Sequence, residues 1–536
     1  MLSRFIRLIP ARTWMILCIV LLLIPLSVIL MAWKETDAEI WSFLLEYQLG
    51  KLLANTLWLI ISVGFGTVFL GTTSAWLTAM YDFPLRRFYF WAMMLPLAVP
   101  SYVLAFTQLG LFDYTGPVST FMREHWGFAE GLPDIRNGFG LALVMSLTFY
   151  PYVYLLARNA FSSMGSQALE AGASLGLTPL HSFLKIALPM ARPWISSGMI
   201  LALMEVLADF GTVSVFSYST FTTAIYEAWF DFFSIETAKQ LASILILGVF
   251  SLLVFEQLSR GNRRFTPSGK GRQYIRKNLH GTRAFAAFLF CSMILLAAFL
   301  IPLIQLSVWV VETFNDGFNI ILWEQAWHSF TASLAAAGLV TAVALLLALA
   351  KRADKSRFAA IAARIATLGY AVPGSVLAVG VFVPIAGIDN FLIDYFGLPE
   401  EVDAVFKGTL AVMMIAYLIR FLAVAYSVLE SGLERISPNL AEAARSLGRN
   451  GSSTVRLIYL PLLKGSLGTA MLMVFVDVMK EMPITLMTKP FDWDTLSARV
   501  YSFTSEGLYA NAALPALLIV LTGLLPVILF SRNNNH

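Results

Sequence analysis

The sequence predicts an all-α polytopic membrane protein in which about twelve transmembrane helices form two parallel six-helix repeats. The first observation behind this prediction is composition, because 58% of the 536 residues are hydrophobic and only 13% are charged. That balance is too apolar for a soluble chain of this length and is typical of a protein that crosses a membrane many times. The other two observations are a series of long apolar runs and a duplicated motif.

Each apolar run is long enough to cross the ~30 Å hydrocarbon core, which needs roughly 20 residues of α-helix. Barrel strands would be shorter and would alternate polar with apolar residues, which these runs do not do. The first run follows three arginines, as in a signal peptide, but it is long and lacks a small-x-small cleavage site, so we expect a retained span. The runs lie at residues 13–33, 55–80, 88–112, 138–160, 194–216, 240–258, 284–310, 329–350, 358–388, 406–430, 465–488 and 507–531.

A spaced motif occurs twice, 272 residues apart, in polar segments between apolar runs. A match at fixed positions without any insertion indicates that the chain is a duplicated unit. Small residues in the motif let a helix approach another surface closely, and its glycine permits the turn that ends the helix. The first copy is Glu170-Ala171-Gly172, then Gly176, then Ile186-Ala187-Leu188-Pro189, and the second is Glu442-Ala443-Ala444, then Gly448, then Ile458-Tyr459-Leu460-Pro461.

The repeat divides the chain into a first half at residues 1–258 and a second half at 284–536, each with six spans. Because six is even, each half returns to its starting side, so the two copies are parallel. The segment Val99–Ala105 also matches Val372–Ala378. Residues 259–283 hold eight basic residues and no acidic one, which predicts a flexible linker; contact with anionic lipid is a second reading.

The distribution of basic residues predicts the orientation of the chain. Alternate loops place 26 Lys and Arg on one side of the membrane and seven on the other. The basic side is expected to be cytoplasmic, so both termini and both copies of the motif should face the cytoplasm. The opposite loops carry 22 Asp and Glu, which would attract cations or a basic partner, although a solvated acidic surface explains them equally well.

The sequence argues against an enzyme. The string nearest to a Walker A loop, residues 261–270, has Arg264 where a glycine is required, and neither an HExxH motif nor a nucleophile elbow occurs. We therefore expect no cofactor on this chain, no nucleic-acid partner, and any ATP hydrolysis on a separate subunit. Cys18 and Cys291 fall in the first span of each half, where packing is the simpler role, and the five histidines lack zinc spacing.

Two pairs of carboxylates lie within the predicted spans, which is costly in a bilayer and therefore indicates a pathway or an ion pair. Glu205 and Asp209 are four residues apart and would share one helix face, as would Asp477 and Glu481. The two pairs are separated by the same 272 residues as the motif. Four convergent carboxylates would suit a hard cation, so we predict that they line the substrate pathway and bind a metal ion transiently.

A structural role for these carboxylates is the alternative. Lys480 is close in sequence to Asp477 and Glu481 and could neutralise one of them. Gly211 and Pro483 follow the two carboxylate pairs and would favour broken helices whose ends the carboxylates cap. The two roles are compatible with each other.

The duplicated motif resembles the EAA loop of ABC-transporter permeases, the cytoplasmic helix–turn–helix that docks on an ATPase. Gly172 stands where that family usually has alanine. The segments 205–214 and 220–226 are similar to the first half of ferric-iron permeases, and Asp477–Thr485 with Asp494-Thr495-Leu496 to the second half. Lys489-Pro490-Phe491 replaces an Arg-Pro-Phe of that family.

The resemblance implies a fused permease of the type I ABC importer class, in the inner membrane of a bacterium. It implies two copies of an ATPase docked on loops 166–189 and 438–461, and a periplasmic or tethered binding protein that delivers Fe³⁺. Thiamine, sulfate and molybdate permeases share this loop, so another small solute remains open, as does an ion-coupled secondary transporter. The residues implied in ATPase docking are Glu170, Ala171, Gly172, Gly176, Glu442, Ala443, Ala444 and Gly448.

Overall fold

A computed structural model describes residues 11–34, 36–126, 133–164, 169–170, 172, 174–260, 276–314, 320–354, 356–397, 404–449 and 451–533. Most of these described residues are helical. Among these residues, ten helices are long and apolar enough to cross a membrane, and two bent helix pairs raise the number to as many as twelve. The predicted all-α polytopic fold with about twelve spans is confirmed.

Among the described residues of the first half, twelve α-helices have defined bounds, together with one short strand. These are α1 Ala11–Leu30, α2 Ala38–Phe43, α3 Leu49–Met80, β1 Tyr81–Asp82, α4 Arg86–Ala92, α5 Ser101–Phe112, α6 Pro117–Trp126, α7 Gly138–Ser163, α8 Pro179–Ser182, α9 Leu188–Ala208, α10 Gly211–Val215, α11 Phe221–Phe230 and α12 Ile235–Arg260, with 3₁₀ turns at Ala32–Lys34 and Leu95–Ala98 and π-helical turns at Leu44–Gln48 and Phe183–Ala187.

The second half contains a broadly similar succession of helices, with its short strand at the start. It comprises β2 Lys277–Asn278, α13 Gly281–Leu295, α14 Ile301–Glu312, α15 Ile320–Ala353, α16 Arg357–Ala366, α17 Gly374–Phe396, α18 Leu410–Glu434, α19 Pro438–Ser446, α20 Gly451–Thr454, α21 Leu460–Leu462, α22 Lys464–Met479, α23 Pro483–Thr488, α24 Leu496–Ser505 and α25 Tyr509–Asn533, with a 3₁₀ turn at Leu368–Ala371 and π-helical turns at Leu296–Leu300 and Val455–Tyr459.

The third and fifth spans of each half are interrupted. The sequence predicted uninterrupted apolar runs at the third spans and offered broken helices as an alternative at the fifth spans. The third spans break at Pro100 and Pro373, just before α5 and α17. A proline has no N–H to donate and disfavours helix in the residue before it, so a break at this point is expected physically. The fifth spans break after α9 and after α22, at Asp209 and Glu481.

The described chain packs as two compact units that do not coincide with the sequence halves. The first unit comprises Ser42–Thr223, Leu247–Phe318 and Val500–His536. The second unit comprises Met1–Trp41, Ala224–Ile246 and Asn319–Arg499. The opening span of each half therefore packs in the unit built mainly from the other half. Halves at 1–258 and 284–536, joined by a linker at 259–283, stay a prediction about the duplicated sequence.

Close contacts hold the first span of each half in the unit built mainly from the other half. In the second unit, α1 lies so near α17 that a Cβ on Gly380 would meet the Ile29 Cδ1 at 2.7 Å. In the first unit, the Gln108 side chain on α5 donates to the Ala297 carbonyl at 2.8 Å. Trp309 of α14 also stacks on Phe106 of α5. Such packing and hydrogen bonding are what hold helices together in lipid, where burial of apolar surface gives little driving force.

Candidate functional site

Both copies of the duplicated motif end a helix with the same turn. Gly176 has φ +80° and Gly448 has φ +71°, a left-handed conformation that glycine adopts without steric cost. The Leu177 amide donates to the Gly172 carbonyl at 3.0 Å, and the Arg449 amide donates to the Ala444 carbonyl at 2.9 Å. This bond from the residue after the glycine is the one that closes a Schellman C-cap.

The polar and small residues of the motif lie where a partner could reach them. Glu170 and Glu442 are exposed, and Ala443 beside Glu442 is exposed as well. A leucine directly before each turn glycine projects into solvent, with Leu175 83% and Leu447 81% exposed. Each hairpin therefore presents a carboxylate and an uncovered leucine, and the sequence reading did not single out those leucines.

Gly172 and Ala444, by contrast, are buried inside their hairpins. A Cβ on Gly172 would lie 2.4 Å from the Ile186 Cδ1, so an alanine at this position would require Ile186 to move. The second copy also has isoleucine at the matching position, Ile458, so the difference between Gly172 and Ala444 is not balanced by a change of side chain there. Ala171 lies outside the described residues.

A π-helical turn follows each hairpin and leads into the proline-bearing start of the fifth span. These turns are Phe183–Ala187 and Val455–Tyr459. Arg352, at the end of α15, holds the base of the second hairpin by donating to the Leu433 and Ile436 carbonyls and to the Tyr459 hydroxyl. Movement of that hairpin would therefore be transmitted to α15.

In the first unit, the break in the fifth span is built around the Asp209 carboxylate. Asp209 directly follows α9, and its extended ψ of 126° turns the chain out of the helix after this residue. Its oxygens accept hydrogen bonds from the Thr212 amide and hydroxyl, both at 2.8 Å, and from the Ser101 hydroxyl at 2.5 Å. The buried carboxylate thus caps α10 and ties it to the start of α5.

In the second unit, Glu481 occupies the matching break between α22 and α23. Its Oε1 accepts the Ile484 amide at 3.4 Å and lies 3.9 Å from the Arg420 Nε. Arg420 in turn donates to the Val372 carbonyl at 2.9 Å. The side chain of Glu481 is only 4% exposed, so this ion pair is withdrawn from solvent.

The two breaks are built alike, and one difference between them is a matched exchange of side chains. Ser101 opens α5, and Gly374 opens α17 at the corresponding position. A Cβ on Gly374 would meet the Glu481 Oε1 at 2.6 Å. The pair Ser101 and Asp209 therefore fills a space similar to that of Gly374 and Glu481. The extra methylene of glutamate takes the room that the serine side chain has in the first half.

Main-chain bonds repeat across the two breaks as well. The Asp209 carbonyl accepts from the Thr222 hydroxyl at 2.7 Å, and the Glu481 carbonyl accepts from the Ser497 hydroxyl at 2.8 Å. At each break, both the side chain and the main-chain carbonyl of the acidic residue are hydrogen-bonded. The hydroxyl that binds the carbonyl lies on the helix after the next one, α11 in the first half and α24 in the second.

The remaining two predicted carboxylates stay within helices. Glu205 lies in α9 and is half-buried. Asp477 lies in α22 and forms an ion pair with Lys480 at 2.9 Å. The structural alternative raised from the sequence is therefore present, with a neutralising lysine at Asp477 and helix caps at Asp209 and Glu481. That each pair shares one helix face stays a prediction, since Asp209 and Glu481 come just after the last residues of α9 and α22.

Within the described residues of either unit, no three or more His, Cys, Asp or Glu side chains are arranged to hold a metal ion. A pathway role and a transient metal-binding role for Glu205, Asp209, Asp477 and Glu481 stay a prediction. Ser101 and Arg420, which position two of these carboxylates, were missed as partners. The signal that could have found Ser101 is its place in Val99–Ala105, the segment that matches Val372–Ala378.

Two matched hairpins on a duplicated helical scaffold, each joined to a broken span, define a transport permease. The chain belongs to the family of binding-protein-dependent transport system inner membrane components, whose model matches residues 67–265 and 340–535. It is accordingly a multi-pass membrane protein and a transport subunit.

Several characterised relatives share most of its length. It is 31% identical over 533 residues, 97% of this chain and 98% of the relative, to the Fe(3+)-transport system permease protein FbpB 2 of Haemophilus influenzae. It is 25% identical over 82% of this chain to the ferric transport system permease protein FbpB of Actinobacillus pleuropneumoniae, of whose length the match covers 64%. It is 24% identical over 87% of both chains to the thiamine transport system permease protein ThiP of Escherichia coli.

Proposed function

We propose that this chain is the fused permease of an ATP-driven importer that carries ferric iron across a bacterial inner membrane. Ferric iron is proposed as the substrate because this chain is similar, over nearly the whole of both chains, to a relative named as an Fe(3+)-transport permease. The carboxylates at the broken spans are consistent with it, because hard oxygen ligands suit a hard trivalent cation.

The partners follow from the duplicated hairpins and from the family. Two copies of an ABC ATPase dock on the loops at 166–189 and 438–461, where Glu170 and Glu442 are exposed. A periplasmic or tethered binding protein delivers the iron to the acidic opposite face. Both termini lie in the cytoplasm, on the side where basic residues are most abundant.

Transport proceeds by alternating access. Closure of the ATPases on ATP displaces the hairpins, and the proline-bearing starts of α9 and α21 pass this movement into the fifth spans. The interruptions at Asp209 and Glu481 let the outer parts of those spans turn independently of the inner parts. Glu205, Asp209, Asp477 and Glu481 serve as transient oxygen ligands for iron during its passage.

Uptake of radiolabelled ferric iron tests this proposal in cells that lack the chromosomal copy. The strain is complemented with wild-type chain, with a Gly176→Val, Gly448→Val double variant, or with the matched Gly176→Asn, Gly448→Asn control. Valine is strongly disfavoured at positive φ, whereas asparagine adopts it readily. We expect uptake with the wild type and with the asparagine pair, and loss of uptake and of ATPase co-purification with the valine pair.

Other outcomes separate the remaining candidates. If the wild type restores thiamine uptake and leaves iron uptake unchanged, the substrate proposal fails and the permease class stands. If transport persists without any co-purifying ATPase and resists vanadate, the chain is an ion-coupled transporter and the docking proposal fails.

A further inference from the structure

A basic patch lies where α3 ends and α13 begins, within the first unit. We define it as Arg86, Arg87, Arg276, Lys277 and Arg283. All of these side chains except Arg86 are exposed. None of them belongs to the docking hairpins or to the breaks in the fifth spans.

A short main-chain pairing brings the two parts of the patch together. Strand β1 pairs in parallel with β2, so that Tyr81 lies opposite Lys277 and Asp82 opposite Asn278. The Leu279 amide also donates to the Asp82 carbonyl at 2.9 Å. The segment just before α13 is therefore fixed against the end of α3, and its charges are held in place.

Two arginines of the patch bind consecutive carbonyls in the last turn of α3. The Arg86 Nε donates to the Thr78 carbonyl at 2.8 Å, and the Arg276 Nε donates to the Ala79 carbonyl at 3.3 Å. These bonds cap the helix, whose final carbonyls otherwise lack partners. Both bonds use the Nε atom, so capping of α3 accounts for only one of the three nitrogens in each guanidinium group.

The patch concentrates positive charge beyond what helix capping requires. Arg86 and Arg276 lie close enough for their charges to repel each other. Asp82, whose carboxylate is 3.8 Å from the Arg86 Nε, offsets one of the five positive charges. Holding like charges together by backbone pairing is unfavourable, and an anion bound between them would relieve the repulsion.

The position of the patch matches the headgroup level of a membrane. It lies where the candidate span Ala38–Met80 ends and the candidate span Gly281–Glu312 begins. Leu85 and Phe88 are exposed beside it. The Tyr81 and Trp76 rings pack edge to face nearby. Aromatic rings and basic side chains at a span end are the groups that meet lipid headgroups.

We infer that this basic patch binds the phosphate group of an anionic phospholipid headgroup. The planar, exposed guanidinium group of Arg276 matches the oxygens of a phosphate. Arg87, Lys277 and Arg283 add exposed charge around it, and the buried Arg86 adds to the positive potential. The bound lipid would fix the start of α13 at the membrane surface. The inference is independent of which solute the permease carries.

Lipid enrichment around the purified permease tests the inference. The protein is reconstituted in nanodiscs of phosphatidylcholine containing a minor fraction of fluorescent phosphatidylglycerol, and energy transfer from protein tryptophan reports the lipid at its surface. An Arg276→Gln, Lys277→Gln variant is compared with Lys34→Gln, Lys51→Gln, which removes the same charge at exposed sites, Lys51 at the opposite end of α3. We expect a loss of preference for phosphatidylglycerol of roughly tenfold in the first variant and none in the control.

Two further arms keep the inference falsifiable. An Arg87→Gln, Arg283→Gln variant leaves both capping bonds intact, so it should lose lipid preference while retaining the wild-type Tm. Inorganic phosphate at millimolar concentration is added to the wild type in parallel. Wild-type lipid preference in both patch variants would overturn the inference. An equal loss in the lysine control would show that the preference depends on overall charge and not on this patch. Displacement of the lipid by phosphate would assign the patch to a soluble phosphate instead.

Discussion

Ser101 and Gly374 show how a single side chain is matched to its partner across the duplication. Ser101 donates to Asp209 at 2.5 Å, whereas Gly374 leaves the room that the longer Glu481 fills. Because the carboxylate and the facing residue change together, neither can be understood from its own half of the sequence.

This pairing predicts strong coupling between positions 374 and 481. Gly374→Ser should destabilise the protein by about 1–3 kcal/mol, since the new side chain would overlap the Glu481 carboxylate. Glu481→Asp in the same chain shortens the acid and copies the arrangement of the first half, so it should restore much of that loss. A double-mutant cycle on the free energy of unfolding in detergent measures the coupling, and additive effects would contradict it.

Asp354 provides a residue whose contribution depends on pH. The pKa of its carboxyl is lowered from 3.8 to about 2, because the Arg12 side chain and Ser356 donate hydrogen bonds to it. A lowered pKa in the folded state means that the ionised form stabilises the fold above pH about 4, and that this contribution is lost as the pH falls toward 2.

The measurement is the difference in Tm between wild type and Asp354→Asn across that window. We expect the wild type to be more stable near neutral pH and the difference to shrink progressively between pH about 4 and about 2. The effect should be small and weakened by salt, because the Arg12 side chain is 66% exposed. A difference that does not change with pH would show that the Arg12–Asp354 pair is not its source.

At the scale of elements, the broken fifth spans are set by capping groups. Asp209 accepts the first amides of α10, and Pro483 begins α23. An apolar run therefore predicts that a span is present without predicting that it is continuous.

Asp209→Asn separates the capping role of this residue from a role in binding the cation. Asparagine is as good a cap as aspartate, so the Tm should remain close to that of the wild type, whereas Asp209→Ala should cost about 1 kcal/mol. If the charge serves the cargo, iron uptake should fall in Asp209→Asn despite the intact fold. Normal uptake in Asp209→Asn would limit this carboxylate to its structural role.

At the scale of the whole molecule, the packing units exchange spans between the sequence halves. Because α1 packs on α17 and α14 packs on α5, neither half holds all the helices of one unit. The continuity of the chain through 259–283 is less important for this arrangement than the presence of both halves.

Expression of the halves as separate chains tests this arrangement. Residues 1–258 or 284–536 alone should be degraded or aggregate, since each would leave unmatched packing surfaces on its spans. The two chains expressed together should co-purify and restore uptake. Stable, monodisperse halves expressed singly would contradict the exchange of spans, and the intact chain expressed from the same vector is the control for yield.

The amino-acid sequence alone predicted the number of spans, the duplication and the turn glycines. Apolar runs are long enough to be counted, the 272-residue offset is arithmetic, and a turn at positive φ strongly favours glycine. The sequence also located Glu205, Asp209, Asp477 and Glu481, because charges stand out in an apolar background.

Tertiary structure alone decided which helices pack together and what each carboxylate does. Ser101 lies 108 residues from Asp209, and Arg420 lies 61 residues before Glu481, so their contacts have no local signal. Whether an acid continues a helix or caps the next one depends on which donors the fold brings within about 3 Å of it. The position of those donors is set by packing between distant segments, which periodicity and composition do not encode.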